Sequence, residues 1–298
     1  MDKTTTASQG AVSVSDARRS KSVGRASSVD WWGEIKSLSV LLLAVLGFHS
    51  LVAKPFYIPS ESMMPVLLKG DRLVVSKYPY GWSYVSPSFH PLPFISGRLF
   101  GRLPERGDIV IVTPQDSSDD YIKRVIGLPG DIIELRDGQV VLNGSAVPQR
   151  TLAPLMLPVD ENAPCPSDQF PGSLTFGADG KRYCQLPVKE EILPNGRAYR
   201  IIDVGSRETD WYGPIRVPKG HVFLMGDNRD NSADSRVARI SKGLGGPVPV
   251  ESIGGRAEFI TFSVDGTTNL NPVSWWTSLR SGRSGTSLRP ERVETPAP

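Results

Sequence analysis

Apolar residues along this chain fall into one long run and many short ones. From Ser37 to Ala53 no charge interrupts the chain, and Lys36 and Lys54 bracket the segment. A bilayer span needs about 17–25 such residues. Trp31 and Trp32 stand just before the run, where an aromatic belt would meet a membrane surface. The pattern predicts a transmembrane anchor over residues 36–53. A buried core helix shows a similar run, and so does a cleaved signal peptide. A cut after Ala53, however, would leave the large Leu51 three residues before it.

Beyond the anchor the period changes to two. "DRLVVSKY" (71–78), "GDIVIV" (107–112), "YIKRVIG" (121–127), "HVFLMG" (221–226) and "RAEFITFSV" (256–264) are short, β-branched or alternating, and bounded by Gly, Pro or Asp. "IIELRDGQVVLNG" (132–144) reads as a hairpin turning at Asp137-Gly138. No amphipathic helices alternate with these strands, which argues against parallel βαβ units. The expected fold is mainly β, an antiparallel sheet. The 29 glycines and 26 prolines agree, since they favour turns over long helices.

Composition divides the rest. Residues 145–215 are rich in Pro, Gly and charge and hold both cysteines. They read as an insertion between two pieces of one core, 54–144 and 216–276. Residues 1–35 read as a flexible tail and 277–298 as a disordered one, because neither buries enough apolar surface to order itself. The aromatic stretch 78–103 reads either as ordinary packing or as a surface dipping into lipid headgroups, and "VSWW" at 273–276 could join it.

Net charge is +3 with no dense basic block, so no nucleic-acid partner is expected. Lys3, Arg18, Arg19, Lys21, Arg25 and Lys36 all precede the uncharged run Ser37 to Ala53. Positive charge stays in the cytoplasm. The tail should therefore face the cytoplasm and everything after Ala53 the far side. Cys165 and Cys184 are then two buried thiols or one disulfide, and an oxidising compartment favours the bond. Neither has a nearby His or a C-x-x-C partner, which argues against zinc.

Candidate chemistry is sparse. His49, His90 and His221 are the only histidines, and no G-x-S-x-G elbow accompanies them. "DNRDNSADS" suggests a calcium loop, but counting from Asp230 the sixth position is Ser235 and the twelfth Ser241, where Gly and Glu belong. No metal and no cofactor is expected. A serine nucleophile can also take lysine as its base, provided burial keeps the amine neutral. In "YIKRVIG" alternation puts Tyr121, Lys123 and Val125 on one face and Ile122, Arg124 and Ile126 on the other. One of the two cations must lie among apolar side chains, or snorkel out. "PSESMMP" (59–65) stiffens a turn with Pro59 and Pro65 and projects Ser60 and Ser62 from it. "MGDNRDNSADSR" (225–236) reads as tight turns, with Asp227, Asp234 and Arg236 able to brace one another and Ser232 able to hold a polar group.

Together these motifs resemble the bacterial type I signal peptidases, or leader peptidases, which use a Ser–Lys dyad. The resemblance rests on "FYIPSESMMPVLLKGDRLVVSKYPYG", "RGDIVIV", "DYIKRVIGLPGD" and "GHVFLMGDNRDNSADSR", in that order after an N-terminal anchor. It implies that Ser62 is the nucleophile, Lys123 the general base and Ser232 the residue that orients the lysine amine. The Ser62 N–H and the Ser60 hydroxyl would form the oxyanion hole. Asp227, Arg229, Asp234 and Arg236 match the ion-pair region beside the site. Ile58, Met63, Leu67, Tyr121 and Ile122 match positions lining pockets for small substrate side chains.

The resemblance further implies a second β region inserted into the catalytic core, with a disulfide there in some members. The implied substrates are secretory preproteins with small residues one and three positions before the cut. The implied place is the outer face of the bacterial cytoplasmic membrane, held by a single pass in contact with lipid. Glu61 departs from the pattern, where relatives carry Gly; an extended Glu61 pointing to water is expected. Two other readings remain: a self-cleaving repressor-type Ser–Lys protease, and a membrane-tethered β-domain that binds partners without catalysis.

Overall fold

The computed structural model describes residues 30–87, 96–114, 117 and 119–293. Residues 1–29 of the flexible tail expected over 1–35, His90 and the middle of the aromatic stretch lie outside the described residues, while residues 31–35 of that expected tail are helical.

The apolar run forms one helix, Trp31–Leu51, of 21 residues. It starts five residues before the expected anchor, so both tryptophans lie inside it, and it stops before Ala53. The chain turns there into the strand Ala53–Tyr57, which pairs with Asp71–Ser76. At about 1.5 Å per residue the helix is about 31 Å long, the thickness of a hydrocarbon core. None of its side chains is buried.

Residues 43–298 form one compact unit. Its main element is a seven-stranded antiparallel sheet in the order Ala53–Tyr57, Asp71–Ser76, Ile253–Ser263, Ile109–Val112, Tyr121–Gly127, His221–Met225, Val248–Pro249. Five of these strands are the ones the two-residue period predicts. The central strand Ile109–Val112 is buried at every position. Ile109 and Ile111 join Ile58, Met63, Leu67 and Leu73 in one cluster, while Val110 and Val112 join Val125, Val222 and Leu224 in another. Both faces of the sheet are covered, which is why "IVIV" is apolar throughout.

The same double cover corrects the reading of "YIKRVIG". Lys123 is 3% exposed and Arg124 1% exposed, so both cations are buried and neither snorkels.

The inserted region carries short antiparallel sheets of its own. Leu155–Pro158, Leu174–Phe176 and Arg182–Leu186 make one, and Gln149–Thr151, Lys189–Ile192, Arg197–Ile201 and Glu291–Arg292 another. Its edges fall differently from the 145–215 expectation. The hairpin Ile132–Arg136 and Gln139–Leu142 pairs with Ser145–Ala146 and with Tyr212–Arg216, so one sheet straddles both boundaries. Cys165 and Cys184 form a disulfide.

The C-terminal segment needs correction. Residues 277–293 are not a free tail: Leu288 is buried in the core, and Glu291–Arg292 pairs with Arg197–Ile201. Arg280 donates twice to Asp160, at 2.8 and 2.7 Å, and Arg283 donates to the buried Asp71 at 2.9 Å. Arginines that read as solvated in sequence are thus partners of distant carboxylates. In the aromatic stretch Tyr80 and Tyr84 are buried, Tyr80 donating to Asp108 at 2.6 Å, whereas Tyr78, Leu99, Phe100 and Leu103 are exposed. Trp275 and Trp276 are exposed on the short helix Pro272–Thr277.

Candidate active site

The turn that follows Ala53–Tyr57 carries both serines. Met64 N–H donates to the Glu61 carbonyl at 3.0 Å and Leu67 N–H to that of Met63 at 2.9 Å, closing a tight coil. Met63 and Leu67 point inward and are fully buried, which anchors the coil on the sheet. From the other side Asn228 clamps it. The Asn228 N–H donates to the Ser62 carbonyl at 3.1 Å, and its side-chain amide to the Glu61 carbonyl at 3.2 Å.

This clamp sets Ser62 against Lys123. Lys123 Nζ donates to Ser62 Oγ at 2.9 Å and to the Ile122 carbonyl at 2.9 Å. Ser60 Oγ lies 3.3 Å from Ser62 Oγ. The Ser62 N–H donates to no acceptor among the described residues. Lys123 makes no ion pair among them either. Burial lowers its pKa from 10.5 to about 8, a fall only partly offset by Asp234 and Asp227, and Arg236 reinforces it.

Ser232 does not hold the lysine amine. Its hydroxyl is buried and makes no hydrogen bond among the described residues. It packs instead against Gly226: a Cβ built at Gly226 would come within 2.2 Å of Ser232 Oγ and 2.4 Å of the Ser62 carbonyl oxygen. Gly226 and Asn228 went unnoticed in the sequence, although both lie within "MGDN".

The expected ion-pair brace also resolves differently. Asp227 does not meet Arg236. Both its oxygens accept from Arg124, at 2.7 and 2.6 Å. Burial pushes the Asp227 carboxyl up, and Arg124 opposes it. Arg236 donates to Asp234 at 3.0 and 2.9 Å. Burial would raise Asp234 as well, but Arg236 and the Gly226 N–H hold it below its ordinary value. Arg229 pairs with Glu191 of the inserted region, both essentially unexposed. No spacing rule could have found Glu191, 38 residues away.

A cleft of about 510 Å³ opens over the serines, walled by Glu61, Lys69, Tyr121, Ile122, Asn231 and Lys242 among others. Of the five positions expected to line substrate pockets, Tyr121 and Ile122 face this cleft. Ile58, Met63 and Leu67 lie beneath the turn in the core, because a coil this tight must turn its apolar side chains inward. Glu61 is not in the left-handed region, so it carries no strain of that kind. Nor does it point to open water. It is half-buried in the cleft wall, its carboxylate accepting from Asn231 at 3.4 Å, and burial raises its pKa against the pull of Lys69.

Among the described residues the strand edge beside the dyad is unpaired. Tyr121, Ile122 and Lys123 pair with Val112, Ile111 and Val110 on one side. On the other, pairing with His221–Met225 covers only Arg124, Val125 and Gly127.

Comparison with known proteins bears on this geometry. The family described as signal peptidase, peptidase S26, matches residues 31–262. Signal peptidase I of Rickettsia typhi is 35% identical over 252 residues, 82% of this chain and 82% of its own. Signal peptidase I of Rickettsia akari is 36% identical over 256 residues, 83% of this chain and 81% of its own. A crystal structure of a signal peptidase I from Enterococcus faecalis V583 covers 52% of this chain and 97% of that one at 22% identity, with a TM-score of 0.26, which adds nothing to the fold described above. On the family match and the length of these alignments, the chain belongs to the signal peptidase family, peptidase S26, and is a serine endopeptidase.

Proposed function

We propose that this protein removes signal peptides from secretory preproteins at the outer face of the cytoplasmic membrane, with Ser62 as nucleophile and Lys123 as general base. The observation that carries this reading is the 2.9 Å contact between Ser62 Oγ and a buried Lys123 whose pKa is lowered to about 8. A charged amine cannot take a proton; a desolvated one near pH 8 can.

The preprotein chain lies extended along the open edge of Tyr121–Lys123, adding a strand to the sheet. Small residues one and three positions before the cut fit a cleft whose deeper apolar side chains are already committed to the core. Ser62 Oγ attacks the scissile carbonyl carbon while its proton passes to Lys123 Nζ along the existing contact. The oxyanion that forms takes hydrogen bonds from the Ser62 N–H and the Ser60 hydroxyl; such donors are worth about 3–4 kcal/mol each. The intermediate collapses as the Lys123 ammonium gives its proton to the leaving amine. A water molecule, deprotonated by Lys123, then hydrolyses the ester on Ser62.

Membrane attachment is carried by the helix Trp31–Leu51, whose length and composition suit a single span. The positive residues before it favour a cytoplasmic N-terminus. The disulfide Cys165–Cys184 supports an oxidising compartment for the residues beyond the helix. Confinement of enzyme and preprotein to one membrane shortens their search. The test is purified full-length protein in detergent, mixed with a preprotein, with N-terminal sequencing of the product. A single new N-terminus after a small residue is expected, and Ser62→Ala should yield none. Cleavage by Ser62→Ala at the wild-type rate would overturn the assignment.

A further inference from the structure

Outside the cleft, three carboxylates converge. One oxygen each from Asp203, Asp210 and Asp230 lies within 4.8 Å of the others. They come from three separate places: Asp203 just after the strand Arg197–Ile201, Asp210 at the end of the turn Glu208–Asp210, and Asp230 in the loop after His221–Met225.

Half of the carboxylate oxygens are already used. Asp210 Oδ2 accepts from the Arg207 N–H at 2.6 Å. Asp230 Oδ2 accepts from the N–H groups of Val204 and Gly205, at 2.7 and 3.1 Å. Asp203 Oδ2 accepts from Lys189 at 2.7 Å. Of the other three oxygens, two stand out. Asp210 Oδ1 and Asp230 Oδ1 are both buried and have no partner among the described residues, and Asp210 as a whole is 2% exposed. A buried carboxylate oxygen without a donor is costly unless something positive meets it.

Charge points the same way. Lys189 offsets Asp203, and Arg236, the cation that acts on Asp210, is held by Asp234. The deficit is close to two positive charges. Ligands that are all carboxylate oxygens suit a hard divalent cation. Calcium bonds oxygen at about 2.3–2.6 Å, so two of its ligands can stand up to about 5 Å apart; magnesium, at about 2.0–2.1 Å, would draw them to about 4 Å. Oxygens that all lie within 4.8 Å of one another come inside the span that one calcium ion bridges.

We propose that Asp203, Asp210 and Asp230 bind a calcium ion that ties the inserted region to the loop clamping Ser62. The tie is short. Ile202 N–H donates to the Asp227 carbonyl at 2.9 Å, Arg229 N–H to that of Ile202 at 2.8 Å, and Asn228 N–H to that of Ser62 at 3.1 Å. This is not the contiguous calcium loop that the sequence lacks. Its ligands come from three segments, and only Asp230 belongs to "DNRDNSADS".

Full-length protein in detergent, stripped with EDTA, tests the site with terbium as the calcium surrogate. Trp211, next to Asp210, would sensitise emission from a bound ion. Emission that calcium displaces, and that falls by more than about tenfold in Asp210→Asn but not in the exposed Asp179→Asn, is expected. Calcium should also raise the thermal midpoint of the stripped wild type by about 4 °C or more, a reading that needs no variant to fold. Asp230→Asn serves where Asp210→Asn does not fold. Emission that is absent or equal in the variants, or a midpoint indifferent to calcium, would overturn the proposal; a proton shared among the three carboxylates would then account for the cluster.

Discussion

Lys123 and Arg124 are adjacent cations on one strand, both buried, and among the described residues only Arg124 has a carboxylate partner. Arg124 is held by Asp227 through two hydrogen bonds, and that pairing raises its pKa. Lys123 faces the opposite side and has a hydroxyl and a carbonyl for company. Alternation along a strand buried on both faces thus makes one structural cation and one amine poised to lose its proton.

The Arg124–Asp227 pair predicts an asymmetric mutational response. Asp227→Asn leaves the Arg124 guanidinium buried without its counter-charge, at a cost of about 3–5 kcal/mol. Urea unfolding of the variant should show a loss of that size. A loss below about 0.5 kcal/mol, as for an ordinary surface site, would mean the pair carries no structural weight.

For Lys123 the sign of the pH effect is set by its direction of shift. Its folded pKa, about 8, lies below the unfolded value of about 10.4. Between these values the unfolded chain holds a proton that the folded one has released, so stability rises with pH across that window and is lost as pH falls through about 8. Lys123→Met removes the buried amine. Its thermal midpoint at pH 7 should equal or exceed that of wild type, with the gap closing towards pH 10. A midpoint well below wild type at pH 7 would mean that the amine is not under this penalty.

Gly226 leaves no room for a side chain between Ser232 and the Ser62 carbonyl. Gly226→Ala must push one of them away. Displacement of a reacting group by about 1 Å can cost about 100-fold in rate. The double variant Gly226→Ala/Ser232→Gly relieves the hydroxyl clash but not the carbonyl one, and should stay slow. Preprotein cleavage by Gly226→Ala near the wild-type rate would show that the turn tolerates the shift.

Ser232 separates stability from chemistry. Its hydroxyl is buried and has no partner among the described residues, so Ser232→Ala removes an unsatisfied group and should not lower the thermal midpoint. If the hydroxyl engages the lysine amine during turnover, cleavage falls by more than about tenfold (about 1.4 kcal/mol). A rate within about twofold of wild type would leave Ser232 as packing alone.

Much of the core was readable from local pattern. The strand Tyr121–Gly127 matches its expected span, and Asp71–Ser76, Ile109–Val112, His221–Met225 and Ile253–Ser263 fall within a few residues of theirs. Ser62 and Lys123 became candidates because short flanking motifs, taken in order, resemble one family. Pairings across long sequence distance were not readable. Glu191 with Arg229 and Asp71 with Arg283 look like solvated charges until the fold brings them together, 38 and 212 residues apart. For the same reason 277–293 read as a tail: its composition is polar, and only distant carboxylates give its arginines a place. Ile58, Met63 and Leu67 misled in the other direction, since an apolar side chain near a cleft and one beneath it look alike in sequence.

The Ser–Lys assignment is tested most directly by the cleavage rate of Lys123→Ala against a preprotein, together with its thermal midpoint. The account predicts a loss of at least about 1,000-fold, within the range a positioned general base supplies, in a protein that remains folded. A folded Lys123→Ala that cleaves at the wild-type rate would contradict it.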